Sequence, residues 1–102
     1  MEPQARLQRI FDAIAEKNWN DAFYAMDDLF NSFSRGAGRT RCVPASDAPK
    51  VPPATYISIG DGGKDCYSLL SQPDGTAVFI RARFSKDTGM FEEDHKYILP
   101  VV

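Results

Sequence analysis

Histidine is nearly missing from this sequence: His95 is the only one among 102 residues. Cysteine is almost as scarce, with Cys42 and Cys66 far apart and forming no close-spaced metal or redox motif. Together these three soft ligands fall short of a zinc site, which calls for four donors or three and a water. The chain is not a cysteine-rich secreted scaffold either, and two free thiols in the cytoplasm are the expectation. No apolar run approaches the ~18 residues of a membrane span, and the first residues lack a charged-then-apolar leader pattern. No cofactor or membrane is therefore expected.

Charge is balanced overall but not locally. The net charge is −2, too mild and of the wrong sign for general attraction to nucleic acid. Residues 1–34 carry −3, residues 35–50 carry +3 and residues 51–102 carry −2. A basic island thus stands between two acidic blocks. The apolar fraction of 43% and charged fraction of 25% are those of a globular domain. A chain of this length makes one domain and buries roughly 60–70% of its unfolded surface.

Periodicity gives the organisation. Pro3 suits the first turn of a helix, and Leu7, Ile10, Phe11 and Ile14 fall on one helical face. Trp19, Ala22, Phe23, Met26, Leu29, Phe30 and Phe33 form a second stripe, with Asn18 or Asn20 as cap and Gly36 as a stop. An antiparallel helical hairpin over 3–35 follows. Residues 36–54 lack periodicity and hold Pro44, Pro49, Pro52 and Pro53, which marks a long loop. From Thr55 the texture alternates, and Asp61-Gly62-Gly63, Pro73-Asp74-Gly75 and Asp87-Thr88-Gly89 punctuate it as turns. The expectation is a single α+β domain, residues 1–102, with the hairpin packed on one face of a four-stranded antiparallel meander over 55–102.

Alternation divides the strongest strand into two faces. Val78, Ile80, Ala82 and Phe84, with Ile57 and Ile59, are the natural seat for the helices. Ala77, Phe79, Arg81 and Arg83 would then face outward, near Tyr56, Ser58, His95 and Lys96. Such a face could stack bases and meet phosphates of single-stranded RNA. It could equally be an ordinary solvated face, with Arg81 and Arg83 paired to Glu92, Glu93 or Asp94. The loop Arg35-Gly-Ala-Gly-Arg39-Thr-Arg41 can fork onto anions, but it trails a helix and lacks the Gly-Lys-Ser/Thr of a phosphate loop. Asp21, Asp27 and Asp28 mark an acidic helical face suited to a basic protein, or simply to water.

Chemistry finds little footing. Asp94 and His95 are neighbours on a strand and should point apart, so no dyad is expected, and a cysteine could reach His95 only through the tertiary fold. Asp61-Gly-Gly-Lys-Asp65 lacks the ligand pattern and closing Glu of a calcium loop. Residues 7–30, with Lys17-Asn-Trp-Asn-Asp21 between two helices, resemble the opening of a nuclear-transport-factor-2-like cone domain. That family continues with a third helix and a longer sheet, which the pattern here does not supply, so the resemblance carries over no functional residue.

By elimination, the expected function is non-enzymatic protein binding, as an inhibitor or immunity protein that neutralises a toxin or host enzyme. Its candidate contacts are Asp21, Asp27, Asp28, Arg35, Arg39, Arg41, Arg81 and Arg83. The alternative is a nucleic-acid-binding module using the arginine loop and open sheet face. A homodimer through an uncovered edge, at Thr55–Ile59 or the last strand, is a further expectation.

Overall fold

In the computed structural model the described residues are 2–33, 40–43 and 48–102. Helix α1 spans Pro3–Ala15, with proline in its first turn. Its end is closed by a left-handed Lys17 (φ 57°), with Lys17 N–H bonding Ile14 O and Asn18 N–H bonding Ala13 O, both at 2.9 Å. This pattern satisfies terminal carbonyls and reverses the chain. Asn18 then caps the next helix, its Oδ1 accepting from Asp21 N–H at 3.2 Å. Helix α2, Trp19–Phe33, buries Ala22, Ala25, Met26, Leu29, Phe30 and Phe33. Trp19 opens this helix but stays 55% exposed, outside the core stripe to which its spacing assigned it.

Strands β2 (Tyr56–Gly60), β3 (Asp65–Ser71), β4 (Thr76–Ser85) and β5 (Met90–Pro100) form the expected antiparallel meander, with the helices against it. Gly62, Gly75 and Gly89 take positive φ in its three turns, where a side chain would be strained. The segment expected to be a structureless loop contributes a strand of its own. β1, Thr40–Cys42, runs parallel to β5 and makes the sheet five-stranded, in the order β1-β5-β4-β3-β2. A lone parallel bridge, Val51 to Val101, continues that pairing. The short strand escaped notice because three residues offer too little alternation to read.

The helices cover the face opposite to the one expected. Cross-strand register aligns Ile57, Leu69, Phe79 and Tyr97, and next to them Ala77 with Leu99. These residues join Leu7, Ile10, Met26, Leu29 and Phe30 in one core. Val78, Ile80, Ala82 and Phe84 lie on the other side, with Leu70 and Ile98. The choice is made by the neighbouring strands. Tyr67, Leu69, Tyr97 and Leu99 supply large apolar groups on the Phe79 side, while β2, β3 and β5 place Ser58, Ser68 and Lys96 on the Val78 side.

Candidate interaction surface

Arg81 is the cation that made its face look exposed. It belongs to the covered side, where its guanidinium carbon lies 5.3 Å from the centre of the Phe30 ring. Its Nε donates to Asp94 Oδ2 at 2.9 Å. The same carboxylate oxygen lies 2.9 Å from His95 Nδ1. Asp94 and His95 therefore do meet, contrary to strict alternation. Arg81 pairs with His95 while Ala82 pairs with Glu93, leaving Asp94 as an extra residue in β5. Such a bulge turns two successive side chains to one side.

The electrostatics of this cluster are settled by its pairing. Burial works to raise the Asp94 carboxyl, but hydrogen bonds from His95 and Arg81 outweigh it, and its pKa is lowered from the ordinary 3.8. Burial likewise works against the Arg81 charge, and the Asp94 hydrogen bonds and charge reverse that effect, raising its pKa. Across the strand, Tyr67 donates its hydroxyl to Asp27 of α2. Burial first, and then this bond and the Asp27 charge, push the phenol well up from 10.0. Asp27, Tyr67, Arg81, Asp94 and His95 thus clamp α2 onto three strands.

Cys66 is a free thiol on the opposite face, its Sγ 3.7 Å from Ser58 Oγ, so it cannot serve His95. Among the described residues, no group of three or more His, Cys, Asp or Glu side chains could hold a metal ion. None of their helices is long and apolar enough to cross a membrane.

The other expected contact residues are dispersed. Asp21 meets Arg9 at 3.2 Å and Asp28 pairs with Arg6, so part of the acidic helical face is answered by α1. Arg83, on the same side as Arg81 and 57% exposed, lies 3.4 Å from Asp65 and 3.9 Å from Asp94. Arg41 lies in β1 opposite Tyr97. Arg35 and Arg39 lie outside the described residues.

What sequence reasoning missed is the side of the sheet that no described helix covers. Tyr56, Leu70, Val78 and Ile98 form one row across it, and Ser58, Ser68, Ile80 and Lys96 the next. Phe84 and Phe91 continue it along the β4–β5 hairpin, edge to face with ring centres 5.6 Å apart. They border an apolar cleft of about 370 Å³ lined also by Gly60, Gly62, Gly63, Asp65 and Cys66. A second cleft, about 270 Å³, runs beside β2 between Trp19, Ile14 and Tyr56–Ile59. Tyr56 is 75% exposed, Phe84 45% and Phe91 49%. Val78, Leu70, Ile80 and Ile98 do not belong to the helix-packed core. The signal lay in reading β4 together with β3 and β5 instead of alone.

No protein family, curated protein or solved structure matches the chain.

Proposed function

We propose that the chain is a small protein-binding module that acts by direct, non-enzymatic contact, with the open sheet face as its docking surface. The observation that carries this reading is the set of exposed rings Tyr56, Phe84 and Phe91 beside the half-buried Leu70 and Ile98, on a side that no described helix covers. Contiguous apolar surface rimmed by polar groups is the usual mark of an interaction site, and aromatic residues are enriched at such contacts. Lys96 and Glu93, 3.9 Å apart, supply a polar margin. Inhibition of a toxin or host enzyme is the form of such binding that fits the small size and the acidic balance. The nucleic-acid alternative is weakened by the placement of Arg81 and Arg83 on the helix side of the sheet; it retains Arg35, Arg39 and Arg41.

The test is affinity capture from the native host with wild type and two variants. Ile80→Glu puts a charge into the open face; Arg39→Ala removes a loop cation. A stoichiometric protein retained by wild type and Arg39→Ala, and lost with Ile80→Glu, is expected. Nucleic acid retained by wild type and lost with Arg39→Ala sinks the reading in favour of the alternative.

A further inference from the structure

We infer that β2 is the seam through which two copies of this chain pair, antiparallel, about a two-fold axis at Ser58. The inference concerns the edge of the sheet and shares only Tyr56 with the docking row on its face. β2 is the last strand of the sheet among the described residues. Ser71 N–H bonds Thr55 O at 2.9 Å at one end, and Asp61 N–H bonds Asp65 O at 3.1 Å at the other. By antiparallel alternation, residues 55, 57, 59 and 61 bond inward to β3. Tyr56, Ser58 and Gly60 therefore turn their backbone N–H and C=O groups outward.

Those outward groups are symmetric about Ser58, so the edge is complementary to itself. Pairing places Ser58 against Ser58 of the second copy and Tyr56 against its Gly60, each pair exchanging both backbone bonds. The side chains fit the same register. Tyr56 is 75% exposed, and Gly60 of the second copy offers its ring an open seat. Glycine at 60 is not required by the fold: its φ lies outside the left-handed region, and an added Cβ would meet only ordinary contact, 3.4 Å from Asp65 O. An aromatic lying across an edge glycine is an established way to fix strand register.

Natural sheets protect free edges with charge, proline or a bulge. Tyr56-Ile-Ser-Ile-Gly60 has none of these, and its pairing with β3 is regular throughout. No charge within the strand opposes a second copy, and Glu16 and Lys17, in the helix turn beside Trp19, balance each other. Trp19, lining the cleft next to β2, adds apolar contact on the helix side. A strand this short, with Tyr56 in it and Trp19 beside it, gives a contact at the low end, below about 1,200 Å² in total, where association is specific but weak. The pairing therefore depends on concentration.

Sedimentation of the full chain over a micromolar-to-millimolar series tests this. Wild type is expected to pass from monomer to dimer. Ser58→Lys sets two ammonium groups face to face on the axis and should weaken dimerisation more than tenfold. Gly60→Ala, which the monomer accommodates, should weaken it several-fold, and Ile80→Glu should leave it unchanged. Thermal unfolding monitored in parallel confirms that each variant is folded. Wild type that stays monomeric throughout overturns the inference. So does a dimer that survives Ser58→Lys but not Ile80→Glu, which would place the contact on the open face. A foreign strand bound to a monomer, and lost with Ser58→Lys, would reassign the edge to another protein.

Discussion

The two faces of one sheet carry similar amounts of apolar side chain and have different fates. On the covered face, Phe30 of α2 meets Tyr97, Phe79 and Tyr67 with ring centres 4.8, 5.2 and 5.3 Å away. On the open face, Val78 is 8% exposed, flanked by Leu70 and Ile98, with no described helix above it. The helices pack on the face where large rings interlock across strands. Edge-to-face ring packing adds about 0.5–1.5 kcal/mol per pair beyond burial, which favours the face where rings gather. Arg81 tolerates the covered side because Phe30 receives its cationic face and Asp94 its hydrogen bonds.

Truncating neighbours of opposite parity separates the two faces by the largest margin. Phe79→Ala removes the centre of the ring cluster and should cost about 3–5 kcal/mol, the range for a buried phenylalanine. Val78→Ala, one residue away, should cost about 1 kcal/mol, because few helix contacts are lost. Urea unfolding of the two variants measures the difference. Equal losses would mean that both faces are packed alike.

The parity error shows what was legible in the residues and what was not. The helices, the turns and the meander could be read because each rests on local spacing: Leu7 to Ile14, Ala22 to Phe33, and glycines at left-handed positions. Ile57 was read correctly as core for the same reason. The face of β4 could not be read locally, since which of Val78 or Phe79 points inward depends on register with Leu69 and Tyr97. The meeting of Asp94 and His95 depends on one unpaired residue in β5, and no alternation rule anticipates an insertion. Asp21 and Asp28 looked like a free acidic face because Arg9 and Arg6 come to them from another helix. The open face followed from none of the expected contacts, as it appears only once β2 to β5 are aligned.

A smaller effect probes the clamp that holds α2 to the covered face. Tyr67→Phe keeps the ring among Phe23, Phe30 and Phe79 but deletes the hydroxyl donated to Asp27. The expected cost is about 1–2 kcal/mol, since a partly buried carboxylate loses one of its donors. The alkaline limb offers a second readout. With its pKa raised in the folded state, Tyr67 contributes stability in full below pH 10.0, its unfolded value, and that contribution is lost as pH rises from there through the folded value. Wild type should therefore lose stability above pH 10 more steeply than Tyr67→Phe. Parallel slopes for the two proteins would show that the phenol is not held by Asp27.

The smallest effect concerns the bulge, where the covered face meets solvent. Asp94→Asn keeps the shape of the side chain but removes the charge that Arg81 and His95 share. At neutral pH the loss should be about 1 kcal/mol, because the group is a third exposed and water screens the pair. The sign of the pH dependence is more telling than its size. A carboxyl held below 3.8 in the folded chain stabilises above that value, and its contribution is lost as pH falls from 3.8 through the lower folded value. Asp61 and Asp74, held low by backbone and threonine donors in their turns, act in the same direction and remain in the variant. Asp94→Asn should thus reduce the acid slope without abolishing it, in melts taken from pH 6 to pH 2. An unchanged slope would mean that Asp94 faces water, and that Arg81 is kept on the covered face by the Phe30 ring alone.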